Sequence, residues 1–507
     1  MTLSLPRRAA WLAAAILCAH ASDAGQVWAD VGDGRLRSDV ELLADAGVIN
    51  LPVSDWPIPV ADLDRVLSGV DADKLKSPAL RHAYDRVRSA VGVTTEDSIH
   101  FSGAGLAAGR PGLLRDYDTP ARDDGNVSAN LAMYGDRWAM ELQVQGVFSP
   151  EDKQPVRLDG SNITWRFGNW LFSANTLDKW WGPGWASSLI LSNNARPMPA
   201  LVLERATSAP FDVPVLRWLG PWRFIIYFAA GEAHRPDVKN PLFFGNRLSL
   251  RPFRFLEIAL SRTAQWCGEN VGPPALQGPP RICNFQMFKN LLIGNYTTQY
   301  AGYSEKPGHA EAGYEARFNS PWQWLPLAGY VQNIGNDEIN RLPARLMKQY
   351  GLESWLTLKN GDVVRGFAEY ADATCGAGRD PPEFNCAYVN SVFFAGYRYR
   401  GLNIGDTADA DSILRTVGLR WDRFTGEEWQ VKVQSAHFNR GNSFNGETIY
   451  NPVSGQGSSL YDSAQVAYRR PLFGGNLFVQ LGYERQTPPQ AIPDGHAFGY
   501  LSWSTVL

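Results

Sequence analysis

Apolar and polar side chains alternate along this chain, segment after segment, from about Ile99 onward. In Trp138–Gln145, one face carries Trp, Met, Leu and Val, while the other carries Glu and Gln. Val127–Tyr134 and Trp429–Gln434 repeat this period of two. Such a period indicates β-strands with one apolar and one hydrophilic face. The chain is therefore predicted to be mostly β, either as a soluble sandwich or as a membrane barrel.

Three features favour the membrane barrel. The apolar faces continue to the end of the chain, and no helical segments accompany them that could cover them. Tight turns such as Gly135-Asp136, Gly168-Asn169 and Asn360-Gly361 alternate with long connections, as in outer-membrane barrels. Tryptophans also lie near the predicted strand ends, as in an interfacial girdle: Trp138, Trp165, Trp170, Trp222, Trp421 and Trp429.

We therefore predict a transmembrane antiparallel β-barrel of about 18 strands, formed by residues 97–507. The strand count conflicts with turn length in two places. If turn length assigns each strand as up or down, the alternation fails between Gly245 and Gly361 and again near Gly401. At least two strand assignments in those regions must be wrong.

The N-terminal residues have the pattern of a secretory signal. Arg7 and Arg8 precede the apolar stretch Ala9–Cys18, and Ala19-His20-Ala21 fits a cleavage site after Ala21. Residues 1–21 are thus predicted to be a signal peptide. In residues 22–96, apolar side chains recur at helical spacing after prolines, which predicts three short helices.

Net charge and cysteine content bear on the class of partner and on the role of the cysteines. The formal net charge is −3, whereas nucleic-acid-binding proteins are usually strongly basic. Four cysteines remain after signal removal, in the local pairs Cys267–Cys283 and Cys375–Cys386. Export to an oxidising compartment favours two disulfides with this pairing, one of three possible connectivities. A zinc site is not expected, since Cys-x-x-Cys spacing and nearby histidines are missing.

Residues 180–197 are the strongest candidate for a functional site. Three tryptophans surround Gly182-Pro183-Gly184, and Asn193-Asn194-Ala195-Arg196-Pro197 follows an apolar stretch. Aromatic faces can bury apolar faces of sugar rings, and Asn and Arg can bind hydroxyls or carboxylates. The candidate polysaccharide ligands are Trp180, Trp181, Trp185, Asn193, Asn194 and Arg196.

The alternative for this segment is a plug. In that case the loop folds into the barrel, Trp185 anchors it, and Arg196 pairs with a carboxylate of the inner wall. The sequence leaves both roles open.

Other polar clusters are weaker candidates. Asp337 and Glu338 are adjacent, but a catalytic carboxylate pair needs a defined separation in space. Asp406, Asp409 and Asp411 do not have the spacing of a calcium loop. The sequence also lacks the His-Glu-x-x-His and Gly-x-Ser-x-Gly motifs. We therefore expect no catalytic residues, no metal and no cofactor.

The chain resembles the capsule assembly Wzi family. The likeness is carried by Trp180–Pro197, by the stretch from Glu204-Arg205 to Phe211, and by Leu219-Gly220-Pro221-Trp222. Members look like monomeric barrels of 18 strands, with a small helical bundle on the periplasmic side and loops over the outer mouth. They act as surface lectins without enzymatic activity. The two cysteine pairs are not part of the family pattern.

The resemblance implies a location in the outer membrane of a Gram-negative bacterium. The expected partners are capsular or extracellular polysaccharide and outer-membrane lipid, with no nucleic acid. The hypothesis is a monomeric, non-enzymatic barrel that binds polysaccharide and anchors it on the cell surface. The alternatives are a channel, either porin-like or a polysaccharide conduit, and an outer-membrane hydrolase.

Overall fold

A computed structural model describes residues 27–91, 99–105, 109–118, 122–269, 309–322, 324–339, 342–389, 393–441, 453–455, 457–489 and 491–506. Within these residues, eighteen strands of six residues or more close into one antiparallel barrel, which confirms the predicted fold class. The predicted signal peptide, residues 1–21, lies outside the described residues. In chain order the strands, β1 to β18, are Ile99–Gly105, Gly125–Tyr134, Trp138–Phe148, Asn162–Phe167, Trp170–Asn175, Ala200–Arg205, Trp222–Ala230, Leu242–Phe253, Leu256–Trp266, His309–Asn319, Leu327–Ile339, Leu342–Thr357, Val363–Asp372, Ile413–Asp422, Glu428–Phe438, Ser459–Leu472, Gly475–Thr487 and His496–Val506.

The barrel wall is apolar outside and polar inside. In β3, Leu142 and Val144 face outward and are exposed, whereas Glu141 faces the lumen and is buried. This is the arrangement of a lipid-facing barrel, because hydrocarbon surrounds the outer face. The six tryptophans of the predicted girdle lie near strand ends, at the end of the barrel where the connections are short, and five of them are 37–42% exposed.

Connections of two or three residues, such as 168–169 and 473–474, lie at one end of the barrel, and most of the long loops lie at the other. The long connection 206–221 is an exception, since it lies at the end with the short turns. Two other exceptions explain the conflict in the predicted strand order. The connection between β11 and β12 is two residues long, yet it lies at the long-loop end. Near Gly401, the hairpin Arg398–Tyr399 with Leu402–Asn403 belongs to the loop 373–412 and not to the barrel.

Three helices precede the barrel, as predicted: α1 (Gly34–Asp45), α2 (Val60–Ser68) and α3 (Pro78–Val91). Asp33 caps α1, accepting a hydrogen bond from the Leu36 amide at 2.9 Å. The helices share an apolar core and pack against the short-turn end, which is the periplasmic end in bacterial barrels. Among the described helices, none has the length and apolar character needed to cross a bilayer.

The lumen is filled from both ends. From the periplasmic end, residues 51–58 enter it, and Arg251 of β8 donates to the Leu51 carbonyl at 2.9 Å. From the outer end, the loops 176–199 and 373–412 fold inward. The two sides meet where Asp55–Trp56 pairs with Trp180–Trp181 as a short antiparallel ladder. The main hydrophobic core is therefore inside the barrel.

One of the two predicted disulfides is confirmed. Cys375 and Cys386 are bonded within the loop 373–412, with Cα atoms 6.0 Å apart, in the usual range. Cys267 lies just after β9, but Cys283 lies outside the described residues. The pairing of Cys267 with Cys283 remains a prediction.

Candidate functional site

The tryptophan loop lies deep in the lumen. Trp180, Trp181 and Trp185 are 1%, 1% and 2% exposed. Trp185 stacks on Phe367 of β13, with ring centroids 6.0 Å apart, and Trp181 lies edge-on to Tyr227 of β7. Their apolar surfaces are therefore already covered by the wall.

Side chains of the inner wall bind the backbone of this loop. Glu369 of β13 accepts hydrogen bonds from the amides of Trp185 and Ala186. Gln332 of β11 accepts from the Leu189 amide at 2.7 Å and donates to the Trp181 carbonyl at 2.8 Å. An irregular loop can be buried in a barrel only when its polar backbone groups are satisfied in this way.

Arg37 of α1 links the helical region to the loop. It donates to the carbonyls of Pro183 and Gly184 at 2.8 and 2.9 Å. Its guanidinium lies 4.3 Å from the ring centroid of Trp185, and Glu41 neutralises it at 2.8 Å. A buried arginine is tolerated when it is paired and fully hydrogen-bonded. Arg37 was not identified from the sequence, because nothing in a helix shows that its arginine enters a distant lumen.

Buried wall arginines hold the same region from the sides. Arg247 of β8 pairs with Asp55 and with Glu315. Arg317 of β10 binds both oxygens of Asp45, at 2.7 and 2.8 Å. These residues were also missed, although they carry a signal: each is an arginine on the hydrophilic face of an alternating strand.

The two asparagines tie the loop to other outer segments. Asn193 donates to the carbonyls of Asp116 and Tyr117 in the segment 109–118, at 3.1 and 3.3 Å. Asn194 donates to the Asn403 carbonyl at 2.9 Å. Both amides are thus used in fastening the outer loops to one another.

Arg196 is the most exposed of the six candidates, but its side chain is only 9% exposed. It binds both oxygens of Asp159 at 2.7 Å and also pairs with Asp152. Although burial opposes it, the hydrogen bond from Arg196 holds the pKa of Asp152 below its ordinary value. The predicted plug arrangement paired Arg196 with a wall carboxylate, whereas its partners belong to the loop 149–161.

The weaker clusters also have structural partners. Asp406 accepts from the Ser187 hydroxyl at 2.9 Å, and burial raises its pKa to about 6. Asp409 pairs with Arg398, and Asp411 accepts from the Asn385 amide. The side chains of Asp337 and Glu338 are outside the described set. Among the described residues, no group of three or more His, Cys, Asp or Glu side chains is placed to hold a metal.

The six candidates thus lie together at the meeting point of the outer loops, the wall and the helical region. Five of them are almost completely buried, so a polymer outside the barrel cannot reach them. The groups that remain accessible nearby belong to the loops above, including Glu151, Lys153 and Arg400.

Comparison with known proteins agrees with this architecture. The family described as capsule assembly protein Wzi matches residues 101–491. A 55.8 kDa protein of the cps region of Klebsiella pneumoniae is 29% identical over 342 residues, covering 66% of this chain but only 63% of that protein.

The structure of Wzi from Escherichia coli superposes with a TM-score of 0.78 at 22% identity, covering 94% of this chain and 98% of that one. That protein is described as a carbohydrate-binding β-barrel of the outer membrane involved in group 1 capsule assembly. The family match extends over most of the residues of the barrel. This chain belongs to the capsule assembly protein Wzi family.

Proposed function

We propose that this outer-membrane barrel binds capsular or extracellular polysaccharide at its outer face and anchors it on the cell surface, without catalysing a reaction. Family membership supports the capsule role, and the Escherichia coli relative is described as binding carbohydrate. In the same proposal, residues 1–21 are a signal peptide, residues 22–96 a periplasmic region, and residues 97–507 the barrel of a monomer.

The filled lumen is the observation that favours anchoring over export through the barrel. The tryptophan loop and the helical region pair directly across the lumen, through Trp180–Trp181 and Asp55–Trp56. A polysaccharide chain would have to displace this ladder and the wall contacts of Trp185 to pass. A surface that holds polymer needs no such displacement.

We assign the six loop residues to positioning and the polymer contacts to the loops that they fasten. Trp180, Trp181, Trp185, Asn193 and Asn194 act as the plug, and Arg196 fixes the loop 149–161. Glu151, Lys153 and Arg400 then lie on a held surface, where Arg400 is 3.8 Å from Asp152. Sugar hydroxyls and acidic groups can hydrogen-bond to such side chains.

The test is binding of the purified barrel, in detergent, to polysaccharide isolated from the same cells. We expect the polymer to co-sediment with the barrel and to keep its size distribution during incubation. Lys153→Ala combined with Arg400→Ala should weaken binding. The matched control is Arg217→Ala, at the short-turn end.

Three results would contradict the proposal. Absence of binding would remove the anchoring role, and shortening of the polymer would favour the hydrolase. Equal losses in the control and the double variant would show that charge, and not the outer surface, governs binding.

A further inference from the structure

A shallow groove lies on the outside of the barrel and crosses β12 to β15. The outward residue Ala368 of β13 is small and forms its floor. The sheet register places Ala368 between Leu352 of β12 and Val417 of β14. The groove has a volume of about 510 Å³.

The walls of the groove are apolar. Tyr350 and Leu352 form one side, and Val417 and Val433 form the other. All four are about half exposed, at 47%, 53%, 62% and 54%. An acyl chain lying on Ala368 would contact more side-chain surface here than on a flat wall, because the flanking residues are larger than Ala368.

Cations surround the outer end of this groove. Arg415 is the third residue of β14, faces outward, and lies with its guanidinium 5.6 Å from the ring centroid of Tyr370. Lys348 of β12 is the register partner of Asp372, the last residue of β13. Arg440 follows β15 and approaches Asp372 at 3.8 Å.

Among the described residues, these cations outnumber the carboxylates beside them. Asp372 also accepts from the Thr374 amide, and Arg440 is its partner in the described ion pairs. Neither Lys348 nor Arg415 takes part in a described ion pair. Asp462 of β16 is separated from Arg415 by one intervening strand. The head of the groove therefore carries excess positive charge at the level of the outer interface.

An apolar groove beside cations that outnumber the described carboxylates matches one kind of lipid. A charged side chain on the lipid face is unfavourable in the hydrocarbon but acceptable at the interface, especially with an anionic partner. Guanidinium groups bind phosphate with directed, charge-assisted hydrogen bonds. A ligand with a phosphate beside several acyl chains satisfies both parts of the groove.

We propose that this groove binds a phosphorylated, multiply acylated glycolipid of the outer leaflet, the lipid A part of lipopolysaccharide. One acyl chain lies over Ala368, and a phosphate binds Arg415 and Lys348. The site is independent of the polysaccharide surface, because it faces lipid and not the outer mouth.

The test measures bound lipid on the purified full-length barrel by native mass spectrometry, after exposure to lipid A and to chemically dephosphorylated lipid A. Replacing Arg415→Gln and Lys348→Gln together should reduce bound lipid A about tenfold, since it removes charge-assisted hydrogen bonds. Binding of the dephosphorylated lipid to this double variant should be unchanged. Ala368→Leu should reduce binding of both lipids, because the larger side chain fills the floor of the groove.

Arg485→Gln is the matched control, because Arg485 lies toward the same outer end of the barrel and pairs with Asp494 at 3.2 Å. It should retain lipid A like the unchanged protein. Unchanged lipid A on the double variant would overturn the proposal. So would an equal loss in the control, or equal binding of phosphatidylglycerol, because either result would mean that any anionic lipid is attracted. Polysaccharide binding, measured on the same variants, should not change.

Discussion

At the residue scale, Trp185 is the centre of the plug. Its ring lies between Phe367 of the wall and the guanidinium of Arg37 from the helical region. Its indole N–H also donates to Glu353 at 3.3 Å. One side chain therefore contacts wall, loop and helical region at the same time.

Trp185→Ala should loosen the plug and leave the barrel closed. Losing a buried tryptophan costs about 3–5 kcal/mol, and Arg37 would lose its aromatic cover. We expect faster proteolysis of the loop 176–199 in a barrel that still shifts on gels when heated. Trp165→Ala, which removes a lipid-facing tryptophan of β4, should leave the rate of proteolysis of this loop unchanged. Loss of the barrel itself would contradict the plug assignment.

Asp406 should make stability depend on pH. In the unfolded chain its pKa is about 3.9, whereas burial raises the folded-state pKa to about 6. The folded protein then binds the extra proton between these values, so its free energy of unfolding falls as the pH rises from about 4 to about 6.

Asp406→Asn removes this dependence and keeps an oxygen for the Ser187 hydroxyl and the Ala408 amide. The variant should gain stability relative to the unchanged protein as the pH rises, by at most about 3 kcal/mol above pH 6. Unfolding curves recorded from pH 4 to pH 7 measure the gain. A constant difference across this range would show that Asp406 does not titrate as described.

The sequence predicted the composition of the tryptophan loop but not its partners. Asn193, Asn194 and Arg196 were identified by residue type, and hydrogen-bonding residue types suit both a ligand site and a packed loop. The distinction depends on burial, which is a property of the folded barrel. Arg37 lies 147 positions from Gly184, so local pattern could not find it. Arg247 lies on the hydrophilic face of β8, but the pattern does not show that its guanidinium comes within 6.0 Å of the Trp181 ring centroid.

At the element scale, α1 is held against the barrel by buried ion pairs. Arg317→Ala would remove both hydrogen bonds to Asp45, and breaking a buried pair from one side costs about 3–5 kcal/mol. Amide hydrogen exchange in Gly34–Asp45 should therefore become faster. Arg88→Ala, which removes a half-exposed pair with Asp64, should have little effect, because exposed pairs contribute little. Equal effects would contradict the docking described for α1.

The strands were easier to predict than their connections. Alternation in β3 and β15 reflects one face in lipid and one in a polar lumen, which is encoded residue by residue. Turn length is a weaker guide, because it does not state the end of the barrel at which a turn lies. Turn length therefore gave the wrong strand order in two places. These are the short connection between β11 and β12 and the hairpin Arg398–Asn403.

At the scale of the whole molecule, a filled barrel should not conduct. In planar bilayers we expect the purified protein to show no steady open level, since the loops and the helical region meet across the lumen. Replacing Trp181→Ala and Trp185→Ala together should produce intermittent steps by weakening that contact. A stable porin-like conductance in the unchanged protein would favour the channel.

The anchoring role is the central claim, and the distribution of polysaccharide between cell and medium tests it most directly. Deleting the gene should leave the total amount of polymer unchanged and move it from the cell-bound fraction to the medium. Restoring the gene should return it to the cells. Accumulation inside the cell, or a collapse in total polymer, would contradict anchoring and favour a role in export or synthesis.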